Sequence, residues 1–129
     1  MDLGLNLIES LYVYKVENIV RCKDGDTAII EVNQGFDDDK TTKIFRFHGI
    51  NCPEKRRATL KEYYAAKAYL EQLCATLPKP FYLKSFVDKT KAQDSLLRYL
   101  CILVDAEQRS INQMMIDAGH AVAWTPNQK

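Results

Sequence analysis

Apolar and polar positions roughly alternate near the start of the chain, whose first half reads as strands. Residues 11–21 follow that rhythm and are rich in Val, Ile and Tyr, which predicts a strand. Lys23-Asp24-Gly25-Asp26 interrupts it with a turn signal, and residues 27–32 predict a second strand. Gly35-Phe36-Asp37-Asp38-Asp39-Lys40 reads as an acidic turn, and residues 42–50 as a third strand. Three consecutive strands joined in this way make an antiparallel meander.

The rhythm then changes to that of a helix. Leu60, Tyr63, Ala66, Leu70, Leu73 and Leu77 recur every three or four residues and so fall on one stripe. Thr59 and Glu62 are spaced as a capping box at its start, and Pro78 and Pro80 stop it. Residues 81–87 and 96–104 predict two more strands. Ser110-Ile111-Asn112-Gln113 has the spacing of another capping box, and Gly119 stands where a second helix would end. Five short strands, one helix between the third and fourth and another after the fifth, is the order of a five-stranded OB-fold barrel, an α+β, mainly β architecture. An open α+β sandwich is the alternative that this order also permits.

Composition narrows the setting. The chain has 129 residues, 47% hydrophobic and 27% charged, which suits one globular domain over residues 1–129 with its own core. The formal net charge of +1 excludes a uniformly basic coat, but residues 40–67 hold eight Lys or Arg against two Asp or Glu. A solvated basic face explains that excess simply, and a phosphate-tracking surface explains it functionally. No apolar run reaches the roughly 20 residues needed to span a bilayer. The opening MDLGLNLIES lacks the basic and apolar regions of a secretory signal, so a cytoplasmic setting is expected. Cys22, Cys52, Cys74 and Cys101 are widely spaced, without a C-x-x-C pair, and read as reduced, mostly buried thiols rather than a zinc site.

Four polar positions stand out against this background. Asp26 follows the Asp-Gly turn, where it is either a plain hairpin residue or a carboxylate aimed at a hard cation. Arg46 interrupts Phe45-Arg46-Phe47, either with its tip in water or with its fork on a phosphate. Glu54 closes Asn51-Cys52-Pro53-Glu54, and if it faces Asp26 the two can hold a metal and its water. Arg98 lies in Leu97-Arg98-Tyr99, where an arginine needs an anionic partner or a route to water. Tyr99 and Trp124 are as readily packing residues as base-stacking ones.

In series, KDGDT, FRFHGINCPE, the capped helix, QDSLLRYLCILVD and SINQMMIDAGHAVAW resemble the staphylococcal nuclease (thermonuclease-like) family over about residues 12–124. The order and the internal spacings R-x-x-x-x-N-x-P-E and D-x-x-x-R carry that resemblance. It implies the OB-fold barrel and calcium-dependent hydrolysis of DNA and RNA phosphodiesters. It also implies roles: Arg46 and Arg98 as catalytic arginines, Glu54 as the catalytic glutamate that holds or deprotonates the attacking water, and Asp26 with the Cys52 carbonyl as metal ligands. The second metal carboxylate falls on Asn51, whose amide oxygen can ligate calcium but brings no charge, so another divalent cation would also suit.

The expectation is therefore a monomeric, metal-dependent nuclease with DNA and/or RNA as partner and no membrane association. The alternative is a catalytically weakened or inactive OB-fold module that binds nucleic acid without cutting it, with Asn51 marking a lapsed metal site.

Overall fold

A computed structural model describes residues 12–36, 38–55, 60–86 and 99–124. In chain order the elements are β1 (Val13–Asp24), β2 (Thr27–Asn33), β3 (Lys40–Phe47), β4 (Ile50–Asn51), α1 (Leu60–Thr76), β5 (Tyr82–Phe86), β6 (Tyr99–Val104), α2 (Ile111–Asp117) and β7 (Val122–Ala123). Five of the strands close into a barrel in the order β1-β2-β3-β6-β5, and β4 and β7 form a separate two-stranded sheet. All barrel pairings are antiparallel except β3 with β6, so this is the mixed, closed barrel of an OB-like fold.

Closure depends on β1. Its first residues, Val13 to Lys15, pair with β5, and Lys15 to Asp24 pair with β2. Register shifts after Val16, Ile19 and Cys22 bend the strand enough to serve both neighbours. Burial alternates in β2, where Ala28, Ile30 and Val32 are buried and Ile29, Glu31 and Asn33 are only half-buried. Phe45 and Phe47 of β3, Leu83 of β5, and Cys101 and Leu103 of β6 fill the interior beside them.

The predicted helix is α1. Tyr63, Ala66, Leu70, Leu73 and Cys74 form its buried face, which packs on β1. Leu60 is 54% exposed, so the buried stripe starts one turn later than its spacing suggests. Thr59, the first half of the expected capping box, lies outside the described residues, as do Leu11, Val87, and Leu96 to Arg98 at the ends of predicted strands.

One other boundary shifts for a clear reason. The third strand ends at Phe47 rather than Ile50, because Gly49 turns the backbone at φ 81° and starts β4 in a different sheet. In α2 the Ser110 hydroxyl accepts from the Gln113 amide at 3.1 Å, as a capping box requires. The Gln113 side chain instead donates to Asp117 at 2.9 Å, so only half of the box forms. Gly119, at φ 81°, ends the helix, with its N–H on Ile116 and that of His120 on Met115.

Candidate functional site

The Asp-Gly signal is a two-residue hairpin: Asp24 pairs with Thr27, leaving Gly25 and Asp26 as the turn. Helix α1 clamps this turn. The Tyr63 hydroxyl lies 2.7 Å from Asp24 Oδ1 and 3.1 Å from the Lys23 carbonyl and donates to them. The bond to Asp24, then burial, pushes the Tyr63 phenol up to about 12, so it stays a donor at neutral pH. Gly25 is required by space. A Cβ there would meet Ala66 Cβ and Cys52 Sγ, each at 2.9 Å.

Asp26 is buried and both its oxygens are engaged. Oδ1 accepts from the Thr27 hydroxyl at 3.1 Å, and Oδ2 accepts from the Cys52 amide at 2.9 Å. Arg46 Nη1 stands 3.5 Å from the same Oδ2. The Asp26 carbonyl accepts from the Phe47 amide at 2.8 Å, so main chain and side chain both fasten the turn to residues 47–52.

Arg46 sits on β3 between buried Phe45 and Phe47, opposite Thr27 on one side and Leu100 on the other. The alternation turns its side chain out of the barrel interior. Nη1 donates to the Phe47 carbonyl at 2.9 Å and Nη2 to Asn51 Oδ1 at 3.2 Å. A guanidinium carries five N–H donors, and the bonds to these two partners among the described residues use two of them. With 17% of its side chain exposed, Arg46 can reach a ligand from solvent.

Asp26, Arg46, Asn51 and Cys52 thus meet in one hydrogen-bonded cluster. Glu54 is exposed and lies two residues beyond Cys52, within about 7 Å of chain. Arg98 lies outside the described residues. Burial, followed by the Asp26 charge, pushes the Cys52 thiol up to about 12, so it offers no thiolate; the main-chain carbonyl is the Cys52 donor relevant to a hard cation.

The donors Asp26, Asn51 Oδ1 and the Cys52 carbonyl are all oxygen, which suits calcium or magnesium by type. They bring one formal negative charge, and Arg46 is beside it. Among the described residues no group of three or more His, Cys, Asp or Glu is placed to hold a metal. The set therefore fits a hard cation in chemistry and is weak in charge.

Two contributors were not singled out in the sequence. One is Tyr63, read only as part of the helix stripe. The other is Asn112, buried at the start of α2: its Oδ1 accepts from the Leu103 amide at 3.1 Å, and its Nδ2 donates to the carbonyls of His48 at 2.9 Å and Cys101 at 3.1 Å. Asn112 thereby fixes the bend that carries the chain from Arg46 to Asn51. The available signal was a polar residue between Ile111 and Met115, both buried.

No protein-family model matches the chain, and no curated protein matches it. No helix among the described residues is long and apolar enough to cross a membrane.

Proposed function

We propose that the chain is a metal-dependent nuclease that hydrolyses phosphodiester bonds of DNA and/or RNA. The observation that carries this reading is the cluster itself: a buried carboxylate, an outward, partly exposed guanidinium, and two further oxygen donors, brought together on a closed OB-like barrel. The resemblance to the staphylococcal nuclease family supports it from the sequence side.

In this reading Arg46 binds a non-bridging phosphate oxygen and stabilises the charge that grows as phosphorus becomes five-coordinate. Glu54 orients a water molecule and takes its proton as the water oxygen bonds to phosphorus and the bridging P–O bond breaks, and the leaving oxygen departs as a hydroxyl with a proton from solvent. Arg98 is the second guanidinium on the phosphate. Asp26, Asn51 and the Cys52 carbonyl would hold the divalent cation, calcium in the first instance, which supplies Lewis-acid neutralisation of the phosphate. Asp26 also holds residue 52 in place through its amide, and so fixes where Glu54 begins. The chain works as a monomer in the cytoplasm.

A second reading has its own support. Arg46 already bonds Asn51 and faces Asp26, so the cluster satisfies itself with an internal cation. An OB-like barrel with a basic face and such a site would bind nucleic acid without cutting it. Incubation with plasmid, single-stranded DNA and RNA, with and without a chelator, separates the two. Cleavage that stops on chelation and returns with calcium supports the nuclease. Cleavage undiminished after exhaustive chelation removes the metal mechanism. Binding without cleavage at any metal concentration selects the module.

A further inference from the structure

The barrel is unevenly charged. Strands β3, β6 and β5 lie side by side and contain Lys40, Lys43, Arg46 and Lys84 but no Asp or Glu. The carboxylates of the barrel strands, Glu17, Asp24 and Glu31, all belong to β1 and β2. Across the sector without carboxylates, Arg46, Leu100 and Phe86 are Cα partners in one row. Phe47, Cys101 and Leu83 point into the core, so strand alternation turns this row outward, together with Tyr82 and Lys84 of β5. Two strand spacings put Phe86 roughly 10 Å from Arg46, and Tyr82 stands about 13 Å further along β5.

This outer face carries rings as well as cations. The His48 ring stacks on Phe86, with centroids 4.8 Å apart and planes 25° from parallel. Its backbone is held on both sides: the His48 amide donates to the Cys101 carbonyl at 2.8 Å, and its carbonyl accepts from Asn112 at 2.9 Å. The stacked pair is therefore set in place by the same contacts that fix the bend after Arg46. Lys84 Nζ lies 5.7 Å from the Phe86 centroid. At the start of β6, Lys43 Nζ lies 5.5 Å from the centroid of Tyr99, which is 43% exposed. Tyr82 is 37% exposed.

We infer that this face is the track for a single-stranded nucleic acid, with a phosphate at Arg46 and unpaired bases stacked on Phe86 and Tyr82. The inference rests on the nucleic-acid reading of the Arg46 cluster and adds the substrate class, single strand rather than duplex. Cations beside aromatic rings, with no carboxylate between them, match a polyanion that carries flat bases. In a duplex each base already stacks on its neighbours, so these rings gain contact only with an unpaired strand. A second copy of the chain seated on the same face would bring like charges together.

The test is binding in excess chelator, where a metal-dependent nuclease does not cut. The probe is a short fluorescent oligothymidylate, read by anisotropy, beside its duplex with oligoadenylate. The single strand should bind at least ~10-fold more tightly than the duplex. Tyr82→Ala and Phe86→Leu should each weaken single-strand binding roughly tenfold, the scale of one lost stacking contact. Leucine keeps apolar bulk against His48, so the fold should survive, and circular dichroism checks it. Phe86→Trp should bind as well as the parent. Lys84→Gln should lower the slope of log affinity against log salt by about 1. Equal affinity for both probes overturns the inference. So does single-strand binding that is unchanged in Tyr82→Ala and Phe86→Leu, or a dimer that these substitutions dissolve. The readout needs no cleavage. A chain that binds in the expected way but cuts nothing removes the nuclease and leaves the track standing, whereas cleavage with unchanged binding in both variants removes the track alone.

Discussion

The amide of Cys52 donates to Asp26 Oδ2 at 2.9 Å, although 26 residues separate the two in sequence. One carboxylate at a hairpin tip thereby sets the position of the segment Asn51 to Glu54. The same oxygen faces Arg46, so the group that would ligate a cation is also what orients the group that would bind phosphate. Changes at any of these residues should be felt at the others.

Arg46→Ala should cut cleavage by at least ~10²-fold, the scale seen when one preorganised charge stabiliser is lost. It should also cost about 1–2 kcal/mol of stability, because Asn51 and the Phe47 carbonyl lose a donor and Asp26 its facing cation. Arg46→Lys should recover part of the stability and little of the rate, since an ammonium lacks the fork that spans these partners. Single-turnover rates beside thermal melts read both effects. A folded Arg46→Ala protein that cleaves at the parental rate removes this arginine from the mechanism.

Asn51→Asp should tighten calcium binding roughly tenfold, or about 1.4 kcal/mol. The side chains are nearly isosteric. In the metal-free protein the introduced carboxylate still has Arg46 Nη2 opposite it, where Asn51 Oδ1 now lies 3.2 Å away. That pairing offsets the repulsion from Asp26, so the metal-free variant should fold normally. Calorimetric titration of both proteins decides the matter, and equal or weaker affinity in the variant would show that residue 51 does not face the ion.

Much of this arrangement was legible in the chain, for local reasons. The sequence of elements follows from short apolar strands, although closure into a barrel rather than an open sandwich does not, and the helix follows from a repeat that keeps Tyr63, Ala66, Leu70 and Leu73 on one side. Asp26 and Arg46 were visible as polar residues at a turn or between aromatics, whereas Asn51 stood out only through the family resemblance. Long-range partners were harder to see. Nothing near Tyr63 indicates that its hydroxyl reaches Asp24, 39 residues earlier. Nothing near Asn112 indicates that it holds His48. The break at Gly49 was hidden because Ile50 continues an apolar pattern, although it belongs to another sheet.

Asn112→Ala should destabilise the fold by about 2–3 kcal/mol, because the buried Leu103 amide and a Cys101 carbonyl lose a partner without access to water. Asn112→Asp should do at least as badly: a carboxylate still accepts from Leu103 but cannot donate to His48 or Cys101. Denaturant unfolding checks this. An unchanged midpoint for Asn112→Asp would mean that the two carbonyl contacts carry no weight.

Asp105 gives a pH signature. Burial raises its carboxyl, but the Arg109 amide and guanidinium and the Glu107 amide more than reverse that, so its folded value lies below the ordinary one. A depressed folded value means stability that is complete above the unfolded pKa of about 3.9 and lost as pH falls through the folded value. Asp105→Asn should therefore melt lower than the parent by a constant amount above about pH 5. The gap should close below about pH 4. A gap that stays constant to acid pH would show that the carboxylate charge is not what these donors stabilise.

Gly25→Ala tests the packing that seats the turn. The added methyl would meet Ala66 Cβ and Cys52 Sγ at 2.9 Å, and Cys52 Cβ at 3.2 Å. Cys52 Sγ can rotate, but Ala66 Cβ is fixed to a helix backbone and cannot yield without moving α1. Overpacking of this kind costs about 1–3 kcal/mol. The strain also acts on the residue whose amide holds Asp26, so cleavage should fall further than the folded fraction does. Cys52→Ala removes the Sγ contact while keeping the amide and carbonyl. In the double variant the cost of Gly25→Ala should shrink by about 0.5 kcal/mol or more, a coupling that a mutant cycle of denaturant midpoints resolves. Additive effects would mean that the turn relaxes away from Cys52, and the seating of Asp26 would then rest on its hydrogen bonds alone.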